Sequence, residues 1–295
     1  MTVGSISVRC NAKINLYLEV IRKRDDGYHD IETVFQPVSL HDIIRIERTS
    51  GGISLTGDDP GIPWDSSNLC WKAAELILGE YGEGKGVSLD VRKNIPSGAG
   101  LGGGSSDAAG VLAGVNELLG LEIDVTRLME MALEIGSDVP FFLFGSPAVG
   151  KGRGEILEKT EGLSGGTLLI VKPDINVSTK WAYQNPNLIL TRSDGGHKLN
   201  CLLGGLKDFP DIALETSNSF QGVVVGEYPV IGQILVLLKS EGARLSSMSG
   251  SGSACFALYE DDTTASRVRD LMLGEGHSVW IVYPAGRTLE LLERE

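Results

Sequence analysis

Pro96–Ser97–Gly98–Ala99–Gly100–Leu101–Gly102–Gly103–Gly104–Ser105–Ser106–Asp107 is the stretch on which the fold turns. The alternation of Val87–Val91 before it reads as a strand, and Ala108–Leu119 after it has helical spacing, with apolar residues at Ala108, Val111, Leu112, Val115, Leu118 and Leu119. Five glycines and three serines between a strand and a helix have a direct chemical use. Glycine lets the backbone approach an anion closely and adopt positive φ. The first N–H groups of the helix lack partners, and its dipole favours negative charge there. Ser105 or Ser106 is placed to cap the helix or to set a hydroxyl on a phosphate or metal ion. A Walker loop is excluded, because no lysine ends the run. The fragment Gly98–x–Gly100–x–Gly102–Gly103 touches the dinucleotide pattern weakly, and a turn that only packs the helix on a sheet is the plain alternative. Phosphate binding is favoured, because so many glycines cost chain entropy.

Working outward, Ile6–Ile21 reads as strand with a polar interruption at Asn11–Lys13, and Ile31–Leu40 and Ile43–Arg48 as two further strands. Asn68–Tyr81 has helical spacing. Val125–Ile135 is a helix with Asp124 as its N-cap, ending at Gly136 ahead of Ser137–Asp138–Val139–Pro140. Glycines across Gly145–Gly154 and the polar run Glu161–Gly166 mark a domain boundary. Beyond it lie strands at Thr167–Lys172, Ala254–Tyr259 and a closing Ser278–Tyr283, with helices at Ile231–Lys239 and Thr264–Leu273; Asn185–Pro210 has no readable pattern. Strands and helices without a regular βαβ rhythm predict an α+β chain of two domains, 1–163 and 164–295.

A chain of 295 residues, 42% hydrophobic, is sized for two packed domains. No apolar run approaches the roughly 20 residues of a membrane span; Ile231–Leu238 and Phe141–Phe144 are core-sized. The net charge of −13 argues against nucleic acid and anionic membranes as partners. It also requires any phosphate site to be built from local donors. Cys10, Cys70, Cys201 and Cys255 are scattered without CxxC spacing, which fits thiols in a reducing compartment. With no secretory signal in view, a cytoplasmic location is expected.

The glycine run resembles the nucleotide motif of the GHMP kinase superfamily, which uses a non-Walker glycine-serine loop. Ala12–Lys13–Ile14–Asn15–Leu16 resembles its first motif, and Ser249–Gly250–Ser251–Gly252–Ser253–Ala254–Cys255–Phe256 its third. Three motifs in order span nearly the whole chain. Within the superfamily, the Ala12–Leu16 segment followed by Asp26–Gly27–Tyr28–His29 is similar to the diphosphocytidyl-methylerythritol kinases, as are Gly102–Ser106 and Gly136–Phe141. The resemblance implies a two-domain fold with the site in the cleft between domains. It also implies ATP-dependent phosphorylation of the 2-hydroxyl of that substrate, a step of the non-mevalonate isoprenoid route, with Mg²⁺ neutralising charge between phosphates. No protein metal ligand is assigned. The partners are small molecules, and the chain is expected to be a monomer or a weak homodimer.

By the same resemblance Lys13 and Asp138 carry the chemistry, Asp138 taking the proton of the alcohol beside the Lys13 ammonium. An ordinary ion pair is the alternative. Pro96, Ser97, Gly98, Ala99, Gly100, Leu101, Gly102, Gly103, Gly104, Ser105 and Ser106 hold the ATP phosphates, and Asn68 and Lys93 lie near the adenine. Asn15 orients the alcohol and Thr179 belongs to the substrate side. Tyr28 and His29 recognise cytosine, with a second aromatic that is either Tyr183 or Trp181. By themselves Tyr28 and His29 read more readily as a half-buried loop pair. The chain departs from the family at Asn218–Ser219–Phe220–Gln221, where two carboxylates are replaced by neutral groups; that segment reads as packing.

Three rivals remain open. Another superfamily kinase, acting on homoserine, mevalonate or a sugar, has no use for Tyr28–His29. A sensor that kept the fold has no use for Lys13 with Asp138. A nicotinamide oxidoreductase needs an acidic residue ending a strand ~20 residues after the loop, where Glu117 and Glu122 fall on or just after a helix.

Overall fold

In a computed structural model, which describes residues 4–191, 196–206 and 216–294, the chain builds two sheets. The first begins with two long antiparallel strands, β1 (Ser5–Lys23) and β2 (His29–Thr49). The two strands read at Ile31–Leu40 and Ile43–Arg48 are therefore one, since His41 and Asp42 between them pair with Asn11 and Cys10 of β1. The sheet adds β3 (Ile53–Gly57), β4 (Gly86–Arg92) and β11 (Leu289–Arg294), giving the order β11-β1-β2-β4-β3. A hairpin of β5 (Ala148–Lys151) and β6 (Ile156–Lys159) pairs with β2.

Register shifts in β1 fall between Asn11 and Lys13, between Asn15 and Tyr17, and between Val20 and Arg22. Bulges re-aim side chains, and here they bracket Lys13 and Asn15, which share one strand face at spacing two. Ala12, Ile14 and Leu16 bury in the middle core, while Val8 and Cys10 enter the first core and Leu18 and Val20 the third. One strand thus threads all three.

Helices α1 (Leu69–Tyr81), α2 (Gly103–Leu119), α3 (Val125–Ile135) and α4 (Val139–Phe144) back the first sheet. Asn68 caps α1 by accepting the Cys70 N–H, and Asp124 caps α3 as expected. The second sheet has order β10-β7-β9-β8, from β7 (Thr167–Lys172), β8 (Leu245–Met248), β9 (Cys255–Tyr259) and β10 (Ser278–Val282). With it go α5 (Thr179–Gln184), α6 (Gly196–Gly205), α7 (Gln221–Glu227), α8 (Pro229–Ser240) and α9 (Asp262–Gly274). Part of the unpatterned stretch Asn185–Pro210 lies outside the described residues.

Ser278–Tyr283 does not close the chain. A last strand, β11 (Leu289–Arg294), returns to the first sheet and pairs with β1. Among the described residues no single helix is long and apolar enough to cross a membrane; α7 and α8 reach that composition only jointly, across a 118° bend.

Candidate active site

The glycine run leaves β4, crosses the first sheet's end and enters α2. Its apolar members anchor it: Ile95, Ala99 and Leu101 are buried in the middle core. Its glycines line the cleft. Gly100 has φ +76°, and a Cβ there would lie 2.1 Å from the Ser249 carbonyl oxygen. Gly102, at φ +73°, is the N-cap of α2. Neither serine caps this helix, because the left-handed Gly102 takes the N-cap position three residues before Ser105. Ser106 is fully buried and donates to the Asn11 carbonyl at 2.8 Å. Of these two, Ser105 lines the cleft.

The loop Ser249–Ala254 meets this run directly. Ser249 Oγ donates to the Gly100 carbonyl at 2.9 Å and receives the Asn15 N–H at 3.3 Å. The Ala254 N–H donates to the Ala99 carbonyl at 3.1 Å. Asn218 steadies the loop from behind, its amide donating to the carbonyls of Met248 and Gly250. All three sequence motifs therefore touch.

A cavity of about 750 Å³ opens along the run. Of the predicted residues, Lys13, Asn15, Tyr28, His29, Asn68, Lys93, Pro96 through Ser105, Asp138, Thr179 and Tyr183 line it; Ser106 does not. Of the two aromatic candidates in α5, Tyr183 lines the cleft, whereas Trp181 packs edge-on against Tyr228 at 6.1 Å.

Lys13 lies beside the N-cap, its Cε 3.1 Å from where a Gly102 Cβ would be. Its Nζ donates to Asn15 Oδ1 at 2.7 Å and sits 3.6 Å from Asp138 Oδ2. Burial lowers the pKa of this ammonium, and the Asp138 charge opposes that shift. Asn15 is fixed in turn: its amide donates to Thr33 Oγ1 at 2.8 Å, and Thr33 donates to the Tyr17 carbonyl at 2.7 Å. Thr33 carried no signal in the sequence, since a threonine in a strand is ordinary.

Asp138 opens α4 without capping it. Its charge also reaches Tyr183, whose phenol burial holds well above its usual pKa. The Tyr183 ring stacks on His29 at 5.0 Å and 28°, with Phe220 edge-on at 4.7 Å. Burial, with help from Lys23, lowers the His29 pKa and favours neutral imidazole. Geometry thus runs continuously from the glycine run through Lys13 and Asp138 to an aromatic pair.

At the other side of the run, Lys93 sits in a buried cluster. It bridges Asp42 and Asp107, the latter at 2.5 Å, and Asp42 also accepts the N–H groups of Asn94 and Ile95. Lys93 is therefore neutralised rather than solvated, and its ammonium braces the strand end against α2. Burial raises the Asp107 pKa while Lys93 pulls it down. Asn68, as the cap of α1, also donates to the Pro63 carbonyl at 2.9 Å, and Trp64 beside it lines the cleft. Among the described residues, no group of three His, Cys, Asp or Glu is arranged to hold a metal ion.

Residues 68–146 match the family described as GHMP kinases N terminal domain, and residues 200–275 match GHMP kinases C terminal. A 4-diphosphocytidyl-2-C-methyl-D-erythritol kinase of Geobacter sulfurreducens is 40% identical over 268 residues, 90% of this chain and 94% of that protein. The chain belongs to this kinase family. A kinase of the same name from Acetivibrio thermocellus is 39% identical over 88% of the chain and 92% of its own length. A crystal structure of 4-(cytidine 5'-diphospho)-2C-methyl-D-erythritol kinase superposes with TM-score 0.81 at 33% identity, covering 95% of this chain and 99% of that one. Homoserine kinase from Cytophaga hutchinsonii shares the fold at TM-score 0.77 and 20% identity.

The departure at Asn218–Gln221 has a structural use within this family fold. Ser219 Oγ donates to Glu19 at 2.6 Å, where an aspartate would place two carboxylates together. Gln221 Oε1 accepts from Ser247 Oγ and the Met248 N–H, both at 3.2 Å.

Proposed function

We propose that this chain transfers the γ-phosphoryl group of ATP to the 2-hydroxyl of 4-diphosphocytidyl-2-C-methyl-D-erythritol, giving ADP and the 2-phosphate. The observation that carries the proposal is the Lys13–Asp138 pair, 3.6 Å apart, set between an anion-ready glycine run and the His29–Tyr183 stack. The relatives named for that activity cover nine-tenths of the chain.

The chemistry follows from the arrangement. N–H groups at the start of α2 receive the phosphates without a basic side chain, which suits a chain of net charge −13. The substrate alcohol attacks γ-phosphorus in line, and the bond to the bridging oxygen breaks as ADP leaves with its electron pair. Asp138 accepts the alcohol proton. Lys13 lies 3.6 Å from that carboxylate, and Asn15, locked by Thr33, fixes the ammonium. Tyr28, His29 and Tyr183 receive the cytosine, with Thr179 beside them; Asn68 and Lys93 frame the adenine side. Mg²⁺, which keeps several waters and takes few protein ligands, fits a cleft that offers the Ser105 hydroxyl beside the glycine run, and would neutralise phosphate charge there. Residues 1–163 form the nucleotide half and 164–295 the second half, apart from β11. The enzyme works in the cytoplasm on the non-mevalonate isoprenoid route, as a monomer or weak homodimer.

The test is ADP release in a coupled assay with Mg-ATP and the cytidyl substrate, with mevalonate, homoserine and galactose as control acceptors. Turnover is expected with the cytidyl substrate alone. In Asp138→Ala, kcat is expected to fall about 10²–10⁴-fold with ATP binding retained. Use of another acceptor overturns the substrate, and full activity in the variant overturns the base.

A further inference from the structure

Beyond the expected residues, one cation faces the cytosine side of the cleft. Arg153 sits at the tip of the β5–β6 hairpin, between Gly152 and Gly154, both at positive φ. The hairpin is docked there by the Ile31 N–H donating to the Gly152 carbonyl at 2.7 Å. Its guanidinium carbon lies 4.5 Å over the Tyr28 ring, and the residue lines the cleft.

Charge accounting singles this residue out. Among cleft-lining cations, Lys13 is paired with Asp138, and Lys93 with both Asp42 and Asp107. Arg153 approaches Glu155 only at 4.0 Å, and a Glu155 oxygen is already taken by the Arg153 backbone N–H at 2.5 Å. Asp26, close enough to feel the Arg153 charge, is paired with Arg24 at 2.9 Å. Among the described residues the guanidinium donates no hydrogen bond to protein. Lys180 also lines the cleft, but it is exposed on a six-residue helix with nothing to hold it.

Resting on the proposed cytidyl substrate, the geometry points to Arg153 as the residue that receives that substrate's diphosphate while its plane backs Tyr28 against the base. A planar fork stacked on an aromatic keeps its N–H edges available for phosphate oxygens. Next to the base subsite is where a nucleoside diphosphate presents them. The residue thereby selects a diphosphate-bearing acceptor over uncharged alcohols of similar size.

The test is calorimetric binding of cytidine and of cytidine 5'-diphosphate to the full chain and to Arg153→Ala, Arg153→Lys and Lys180→Ala. ATP binding serves as the control for folding. Wild type is expected to prefer the diphosphate. Arg153→Ala loses about tenfold to a hundredfold in diphosphate affinity while cytidine affinity changes far less. Arg153→Lys recovers part of the preference, and Lys180→Ala keeps it. In turnover, Arg153→Ala raises KM for the cytidyl substrate with kcat held. Equal weakening of both ligands would reduce Arg153 to a support for Tyr28 and overturn the proposal. A preference that survives Arg153→Ala, or disappears in Lys180→Ala, overturns it as well. If wild type binds neither ligand while ATP binds, the cytidyl reading of the site itself fails.

Discussion

At the residue scale, two lysines of the cleft have opposite settings. Lys13 faces one half-exposed carboxylate and is available to chemistry, whereas Lys93 is enclosed by two buried ones. One ammonium cannot satisfy both carboxylates of the second cluster, and Asp107 Oδ1 has no hydrogen-bond partner. Burial accordingly pushes the Asp107 carboxyl up to about 7. A folded-state pKa above the unfolded value means that the folded chain binds the proton more tightly. This group's contribution to stability is thus complete below the ordinary carboxylate pKa of 3.8 and is lost as pH rises through about 7. Asp107→Asn has no proton to lose. Melting temperatures of wild type and variant, followed from pH 4 to 8, are expected to show wild type falling relative to the variant across that window. Parallel curves would show that Asp107 stays ionised.

At the element scale, the two glycine loops act as one unit because their backbones touch. Gly100 is the contact point, held by Ser249 from the other loop. Gly100→Ala introduces a Cβ 2.1 Å from the Ser249 carbonyl oxygen at a φ of +76°. Strain and overpacking together predict a loss of about 2–4 kcal/mol in urea unfolding. KM for ATP is expected to rise, because the loop must shift away from the form proposed to receive the phosphates. Unchanged stability with unchanged KM would mean that the loops separate without cost. The Glu19 side chain does similar work between segments, accepting hydroxyls from Thr191, Ser217 and Ser219.

At the scale of the whole molecule, an anionic protein binds two anionic ligands. The Debye length falls from ~30 Å at 0.01 M salt to ~8 Å at 0.15 M. Distant carboxylates are therefore screened before the donors in the cleft are. KM for ATP, measured at constant free Mg²⁺, is expected to fall as NaCl rises over that range. A rise would show that the cations of the cleft, Arg153 and Lys180 included, outweigh the global field.

Local chemistry was legible in the chain by itself. The glycine run, the helix cap at Asp124 and the strand at Thr167–Lys172 are written in neighbouring residues, where periodicity and φ preferences act. The order of three motifs carried the family, and with it the expectations for Lys13, Asp138 and an aromatic at Tyr183 or Trp181; the fold put Tyr183 in the cleft. Tertiary structure alone decided what long-range pairing sets. β11 joins β1 across nearly the whole sequence, and Thr33 locks Asn15 only because two strands pair in register. Asp42, Lys93 and Asp107 come together from three elements, and Arg153 reaches Tyr28 because a hairpin docks on β2. None of these residues is unusual where it stands in the sequence. Each acquires its role from desolvation and from neighbours 14 or more residues away, and no local pattern encodes that.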